Sequence, residues 1–222
     1  MATKVLKDPI EVGNRLEELG LDRTKLFHAR EAMVSARADC TQNDPPGAPG
    51  WSAWRMGTRR LREVMLTEPD WEKDEGDQIS AIVNKKLGVR LAVANTDDAT
   101  GLDINGRLPQ NRSKKGAATD RVVQANQGSF MDALDASLKV VPLKTRTKPS
   151  GPIITWYICV YNDGDVVRSE LSCPSSLDNG FFTDFVERIF LDDMDEGGGG
   201  AVRRRDSGDG GPEFNIPVTR KK

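Results

Sequence analysis

The stretch IITWYICVYNDGDVVRSELSCP, residues 153–174, decides the fold that the sequence predicts. It holds two runs of β-branched and aromatic residues on either side of Asp163-Gly164, the residue pair that a type I′ turn prefers. With that turn at its centre, Val160 lies opposite Val167. The stretch therefore predicts a β-hairpin with one apolar face in the core and a second, mixed face that is half covered.

A second hairpin is predicted upstream. Apolar residues alternate over 79–83 and again over 89–93, on either side of a turn at 85–88. Elsewhere, apolar residues recur at three- and four-residue spacing, and this predicts helices that begin at Pro9, at an Asp22 cap and at a Thr119 cap, among others. The predicted helices span about 9–20, 22–36, 52–66, 119–138 (in one or two pieces) and 181–191.

Together these elements predict an α+β fold: an antiparallel sheet built from two β-hairpins, packed by an N-terminal three-helix group and two further helices. We expect a single domain over 1–191, with its helical part at 1–70 and its sheet-containing part at 71–191. Residues 192–222 are charged and Gly-rich, so ordering them would cost backbone entropy with little apolar burial to offset it. A disordered C-terminal tail is therefore predicted.

Composition narrows the class of protein. Of 222 residues, 37% are hydrophobic and 30% are charged, and the net charge of -2 leaves no global basic field. No stretch approaches the roughly 20 apolar residues that cross a bilayer, and the N-terminus lacks the apolar core of a signal peptide. Three cysteines, with Cys159 and Cys173 not opposite each other in the hairpin, predict free thiols. These features predict a cytoplasmic protein without a membrane partner.

The longest polar connection, residues 96–118, is the candidate contact surface. It reads TDDATGLDINGRLPQNRSKKGAA, with acidic residues first and basic residues after them. Connections in compact domains usually run about 4–6 residues, so a loop of this length is typically functional or disordered. Its polarity requires water or a partner to satisfy its backbone groups.

The acidic half of this loop is a candidate metal site. Asp97, Asp98 and Asp103 follow a predicted strand, and hard oxygen ligands of this kind suit Mg²⁺-assisted hydrolysis of a phosphodiester. The same residues are also typical of turns, where aspartate side chains bond to nearby backbone groups.

Two basic groups are candidates for binding a partner or a phosphate. The first lies on one face of the predicted helix over 52–66, close to Trp51, and the second lies in the loop before the helix that starts near Thr119. A basic helical face can follow a phosphate backbone while a tryptophan stacks on a base. The alternative is that the arginines pair with Glu63, Glu68 or Glu72 and that the basic run is solvated surface. The candidate residues are Arg55, Arg59, Arg62, Arg107, Arg112, Lys114 and Lys115.

Signals of catalysis are weak. His28 is the single histidine, which leaves little basis for a zinc site or a catalytic triad. No CxxC motif is present, and the run at 112–116 lacks the glycine that begins a P-loop and the Gly-Lys-Ser/Thr order that ends it. The sequence thus leans toward a protein that is not an enzyme.

Three functions follow from these patterns. The first is a non-catalytic intracellular interaction protein, such as an accessory subunit of a larger assembly, which contacts a protein partner through the 96–118 loop and the tail. The second is a nucleic-acid-binding protein that uses the basic helix at 55–62 and the 112–115 cluster. The third is a metal-dependent phosphodiester hydrolase that uses Asp97 and Asp98. No cofactor is expected except Mg²⁺ under the third function, and no oligomeric state follows from the sequence.

Overall fold

The computed structural model describes residues 3–104, 106–138, 152–192 and 202–203, with backbone alone for 128–138 and 202–203. Within these residues a mixed sheet of seven strands runs in the order β1-β7-β6-β5-β4-β3-β2. The pairs β1/β7 and β4/β5 are parallel, and the other neighbours are antiparallel. The strands are β1 (Lys4–Leu6), β2 (Trp71–Asp74), β3 (Ala81–Asn84), β4 (Val89–Asn95), β5 (Ile154–Asn162), β6 (Val166–Asp178) and β7 (Phe181–Phe190), with β8 (Val202–Arg203) paired to the start of β6.

Helices cover both faces of this sheet. Asp8 and Asp22 begin the first two helices, because their carboxylates accept backbone N–H groups of the first turn. The first three helices pack on one face, in a core that includes Leu26, Leu91 and Ile158. The fourth packs on the other face. The helices are α1 (Pro9–Glu18), α2 (Arg23–Ala38), α3 (Ala48–Met65) and α4 (Ala117–Leu138).

The predicted architecture, an antiparallel sheet built from two hairpins with a three-helix group and two further helices, is wrong. Both hairpins form, as β3–β4 and β5–β6, but they join through a parallel pairing that runs from Val89↔Ile154 to Asn95↔Val160. The long connection between β4 and β5 contains α4, and a crossover of this kind is what parallel neighbours require. Strand β1, which extends the far edge, was not predicted.

The predicted helix over 181–191 is strand β7 instead. Phe182 and Phe185 are three residues apart, a helix-like spacing, yet both pack on the α4 face of the sheet. The register between β6 and β7 shifts at Pro174 and again at Ser176. Because a bulge adds a residue to one strand, it lets side chains three apart share a face. The spacing that indicated a helix thus comes from an irregular strand.

The predicted register of the β5–β6 hairpin is wrong by two residues. Val160 pairs with Ser169, and Cys159 pairs with Glu170. The connection covers three residues, since the Asp163 carboxylate accepts the N–H groups of Asp165 and Val166 and holds a turn longer than type I′. A two-residue shift preserves the faces. The mixed face, expected to be half covered, is fully buried at Cys159 and Glu170.

Two predictions lie largely outside the described residues. Of the tail predicted to be disordered over 192–222, the structure describes 192 and 202–203 alone. The stretch 142–152, which predicts a basic linker between α4 and β5, also falls mostly outside them. The extent of a single domain over 1–191 stays a prediction.

Candidate functional site

A cleft of about 590 Å³ opens at the carboxyl end of β4, between the first turns of α3 and α4. Strand β3 pairs with β4 no further than Leu91, so the last residues of β4 border the opening. Ala92 from one face and Val93 from the other both line it. The Asn95 amide donates to the Gly50 carbonyl oxygen at 2.9 Å and so fixes the start of α3 against the end of the strand. In sheets with parallel strands, ligands commonly bind beyond the carboxyl ends of those strands.

An aromatic wall forms the mouth of the cleft. Trp51, in the first turn of α3, is 59% exposed, which is unusual for so large an apolar side chain. The Arg55 guanidinium lies 5.3 Å from the centroid of the Trp51 ring. Trp54 is half-buried and lines the same wall. The mouth thus presents one exposed aromatic face with a cation beside it.

A basic wall faces the tryptophans. Arg112, Lys114 and Lys115 come from the end of the 96–118 loop, and Arg37 comes from α2. Burial lowers the pKa of Lys115 and that of Arg37, and the nearby Arg112 lowers the Arg37 pKa further. Among the described residues, the Lys115 ammonium makes no hydrogen bond or ion pair; it lies 5.7 Å from the centroid of the Tyr157 ring. Burial and the neighbouring Arg112 thus disfavour the charged form of Arg37, a cost that a bound anion would relieve.

No Asp or Glu is among the described residues that line the cleft. The chain has 34 acidic residues against 32 basic ones, so a basic surface of this size without a carboxylate is notable. Two of the arginines predicted to belong to the basic helix are instead paired with carboxylates: Arg59 with Glu63 at 2.8 Å, and Arg62 with Glu75 at 2.7 Å. The cleft is therefore a local site of positive charge in a nearly neutral protein.

Tyr157 is among the most buried residues of the cleft lining, and we call the part of the cleft beside it the closed end. Its side chain is 2% exposed and packs against Phe182, with ring centroids 5.1 Å apart. Its hydroxyl makes no hydrogen bond of standard geometry to a described residue, although the Thr119 side chain approaches it. Burial raises the pKa of Tyr157, so the hydroxyl remains a hydrogen-bond donor.

The basic wall is held by the turn between β6 and β7. The buried Asn111 amide donates to the carbonyl oxygens of Ser113 and Gly180, and its oxygen accepts the Phe182 N–H at 2.8 Å. The Lys115 N–H donates to the same Gly180 carbonyl oxygen at 2.9 Å. Residues 111–115 are thus held by hydrogen bonds to the turn between β6 and β7, so the basic side chains project from a rigid backbone.

The first half of the loop packs on the sheet. Glu170 and Arg188 form a buried ion pair, with Nη2–Oε2 at 2.6 Å. Glu170 also accepts the Gly101 N–H, and Arg188 also donates to the Ala99 and Leu102 carbonyl oxygens. These two side chains of the sheet thus satisfy three backbone groups in the first half of the loop.

The structure brings together part of the predicted basic set. Arg112, Lys114 and Lys115 line one wall of the cleft, and Arg55 lies beside it on Trp51. Three other predicted residues lie outside the cleft lining, each in an ion pair: Arg59 with Glu63, Arg62 with Glu75 and Arg107 with Asp98.

The predicted acidic set is not brought together. Asp97 accepts the Ala99 and Gln110 N–H groups, Asp98 pairs with Arg107, and Asp103 pairs with Lys7. In the part of the chain that the structure describes, no three His, Cys, Asp or Glu side chains are grouped to hold a metal ion.

Arg37 and Tyr157 are members of the cleft that the sequence did not indicate. Arg37 sits near the end of α2, outside any basic run, and Tyr157 alternates with core residues in a strand. The alternation places Tyr157 on the mixed face, but contact with the loop depends on tertiary packing alone.

Comparison with known proteins gives no match to a family model, to a curated protein or to a solved structure. Among the helices that the structure describes, none combines the length and apolar character needed to cross a membrane.

Proposed function

We propose that this protein binds single-stranded nucleic acid in the cleft. The observation that carries the proposal is the set of four cations, Arg37, Arg112, Lys114 and Lys115, that line it with no described carboxylate among them. A cleft of about 590 Å³ falls in the range of roughly 300–1,000 Å³ usual for ligand sites. Phosphate groups supply the negative charge that such a wall selects.

The exposed ring of Trp51 supports a ligand that carries bases. Stacking on an aromatic side chain is tolerant of base identity and contributes about 1–3 kcal/mol per base. Arg55 beside the ring adds a cation that can stack or pair with phosphate. A ligand with an aromatic ring and a phosphate several ångströms apart would use both walls of the cleft at once.

The other two functions predicted from the sequence carry less support. A protein partner for the 96–118 loop is a prediction, and the first half of that loop packs on buried groups of this chain. The hydrolase would need Asp97 and Asp98 to share a metal, whereas each carboxylate is engaged by a different neighbour. A cytoplasmic location is part of the proposal and rests on three free thiols.

The test is fluorescence anisotropy with labelled single-stranded RNA and DNA of about 10 nucleotides, a length within known site sizes. If two to four phosphates are contacted, log K should fall with log salt at a slope of about -1.4 to -2.8. Absent binding, or binding insensitive to salt, would overturn the proposal.

Variants locate the binding surface. Arg112→Gln and Lys114→Gln should each weaken binding and reduce the salt slope, and Trp51→Ala should weaken it about 5- to 100-fold. Arg59→Gln is the matched control, because Arg59 belongs to the same helix as Trp51 but is paired with Glu63 outside the cleft. An equal loss in Arg59→Gln would place the interface on the helix face rather than in the cleft.

A further inference from the structure

We infer that the closed end of the cleft is a subsite for a phosphomonoester, the terminal phosphate of a nucleotide or of a nucleic-acid strand. This inference rests on the proposed function and narrows its ligand. The lining there combines Lys115, Tyr157 and the N-terminus of α4, of which Gly116 and Thr119 border the cleft.

The N-terminus of α4 supplies the backbone donors. The first helical bond runs from the Asp120 N–H to the Gly116 carbonyl oxygen at 3.2 Å, so the N–H groups of 117–119 precede the helical bonding. A helix of 22 residues also carries partial positive charge at this end. Asp120, in the same turn, accepts the Gln124 amide and does not line the cleft.

Tyr157 gives an independent indication that a ligand binds at this end of the cleft. Its hydroxyl is buried, yet it lacks a hydrogen bond of standard geometry to any described residue. Buried polar groups are nearly always satisfied, so such a group calls for an acceptor. The Thr119 side chain approaches this hydroxyl, and a phosphate oxygen beside Lys115 would accept from it once the Thr119 side chain rotates away, because all three residues line the cleft.

Lys115 supplies the charge. Its ammonium faces the Tyr157 ring, has no carboxylate partner among the described residues, and is attached to a backbone fixed by Gly180. A phosphomonoester carries close to two negative charges at neutral pH, whereas an internal phosphodiester carries one. The combination of a cation and a helix N-terminus suits the more highly charged group.

The shape of the cleft selects a terminal group over an internal one. Exposure falls from 59% at Trp51 to 2% at Tyr157, and Phe182 packs behind the tyrosine ring. An internal phosphodiester has the strand attached on both sides, so the strand would have to leave the cleft by two separate openings. A terminal phosphate needs one, which leads back past Trp51 where the base can stack.

The experiment compares one oligonucleotide sequence in three forms, with a 5′-phosphate, with a 3′-phosphate and with neither, against the full chain. Nucleoside monophosphates and inorganic phosphate serve as competitors. We expect one phosphorylated form to bind about tenfold or more tightly than the unphosphorylated strand, since charge-assisted bonds are lost without the phosphate. A monophosphate that competes as well as the strand identifies free nucleotide as the source of the phosphomonoester.

Two variants tie this preference to the subsite. Tyr157→Phe removes the hydroxyl but keeps the ring, and Lys115→Gln removes the charge at a half-buried position; thermal unfolding confirms that each is folded. Both should reduce the preference for the phosphorylated strand, that is, each should weaken binding of the phosphorylated strand by a larger factor than binding of the unphosphorylated strand. Arg59→Gln should keep the full preference.

The outcomes separate this inference from the proposed function. Strands that bind equally well with and without a terminal phosphate overturn the subsite and leave nucleic-acid binding in place. A preference that survives both variants overturns its position at Tyr157 and Lys115. If no strand and no nucleotide binds, the proposed function falls and the subsite falls with it.

Discussion

The backbone N–H of Lys115 donates to the carbonyl oxygen of Gly180 at 2.9 Å, and this bond fastens the basic wall of the cleft to the turn between β6 and β7. Gly180 has φ +85°, in the left-handed region that favours glycine. A Cβ atom added there would lie 2.7 Å from the Lys115 carbonyl oxygen and 3.2 Å from its nitrogen. The turn can approach the wall this closely because residue 180 has no side chain.

Gly180→Ala should therefore displace residues 114–115 and weaken binding at the cleft. Strained left-handed backbone alone costs about 1–3 kcal/mol, and the contact with backbone atoms adds to it. Gly106→Ala is the control, since Gly106 also has positive φ but an added Cβ meets nothing within 4 Å. Urea unfolding and strand binding are measured for both. A loss of affinity confined to Gly180→Ala isolates the contact, whereas equal losses would assign the effect to backbone strain.

This contact shows why part of the site was beyond prediction. The 112–115 run and Trp51 are visible as residue types in the sequence, and the structure places them around one cleft. Gly180, in contrast, was not assigned to the site, because its role depends on a turn packing against a loop about 65 residues away in the chain. Local patterns carry no information on such a contact.

Some parts of the fold, like some parts of the site, could be predicted from local sequence patterns and others could not. Pro9, the Asp22 cap and the apolar stripes predict α1 and α2, and alternation predicts the two hairpins. The parallel pairing of β4 with β5 was missed, since alternating apolar residues in β4 are compatible with either partner direction. Ala92 and Ala94 belong to the core cluster on the α4 side of the sheet, and with Leu91 and Val93 they form the continuous apolar run typical of a strand covered on both faces.

The affinity for a phosphate-bearing ligand should fall at alkaline pH through Lys115. Burial lowers its pKa below the ordinary value of 10.5, so the folded protein loses this charge before a solvated lysine would. Free of ligand, the charged ammonium disfavours folding, and stability should rise as pH increases from the folded-state pKa toward 10.5. A bound anion stabilises the charged form of Lys115. Its affinity should therefore fall over the same pH range, as the ammonium loses its proton.

Titrating the affinity from pH 7 to pH 10 in the parent and in Lys115→Arg checks this, since arginine stays charged throughout that range. Burial raises the pKa of Tyr157 and of Cys159, which keeps both neutral in that range. Arginine side chains stay cationic in proteins, and every other group of the cleft is the same in the two proteins. A flatter profile in Lys115→Arg is expected; identical profiles would contradict the assignment.

The buried pair of Glu170 and Arg188 should be strongly coupled. Breaking one partner of a buried ion pair costs about 3–5 kcal/mol, because the other charge is left uncompensated. Arg188→Met and Glu170→Gln should each destabilise the protein, and the double variant should be less destabilised than the two single effects combined. Urea unfolding of the four proteins gives the coupling energy. Since the Gly101 N–H donates to the Glu170 carboxylate, its hydrogen exchange should also be faster in these variants than in the parent. Additive effects would show that the pair does not act as a unit.

Asn126 should be essential for the attachment of α4 to the sheet. Its side chain is fully buried and makes three hydrogen bonds to residues that the structure describes: its amide donates to the Thr155 and Pro174 carbonyl oxygens, both at 2.9 Å, and its oxygen accepts the Thr155 N–H at 2.8 Å. Pro174 has no N–H for the hydrogen bonds between strands and lies at a register shift. Its carbonyl oxygen therefore takes a hydrogen bond from a side chain, that of Asn126.

Asn126→Leu removes all three hydrogen bonds, and Asn126→Asp removes both donors. Each variant should lower the free energy of unfolding by at least about 2 kcal/mol, because each unsatisfied buried group costs about 1–3 kcal/mol. Gln124→Ala, two residues away on the exposed side of α4, is the control, and a surface change of this kind stays within about 0.5 kcal/mol. Urea unfolding measures all three. Because α4 carries Thr119 and the backbone donors of the subsite, Asn126→Asp should also reduce the preference for a terminal phosphate. An Asn126→Leu protein as stable as the parent would mean that α4 is held by its apolar contacts alone.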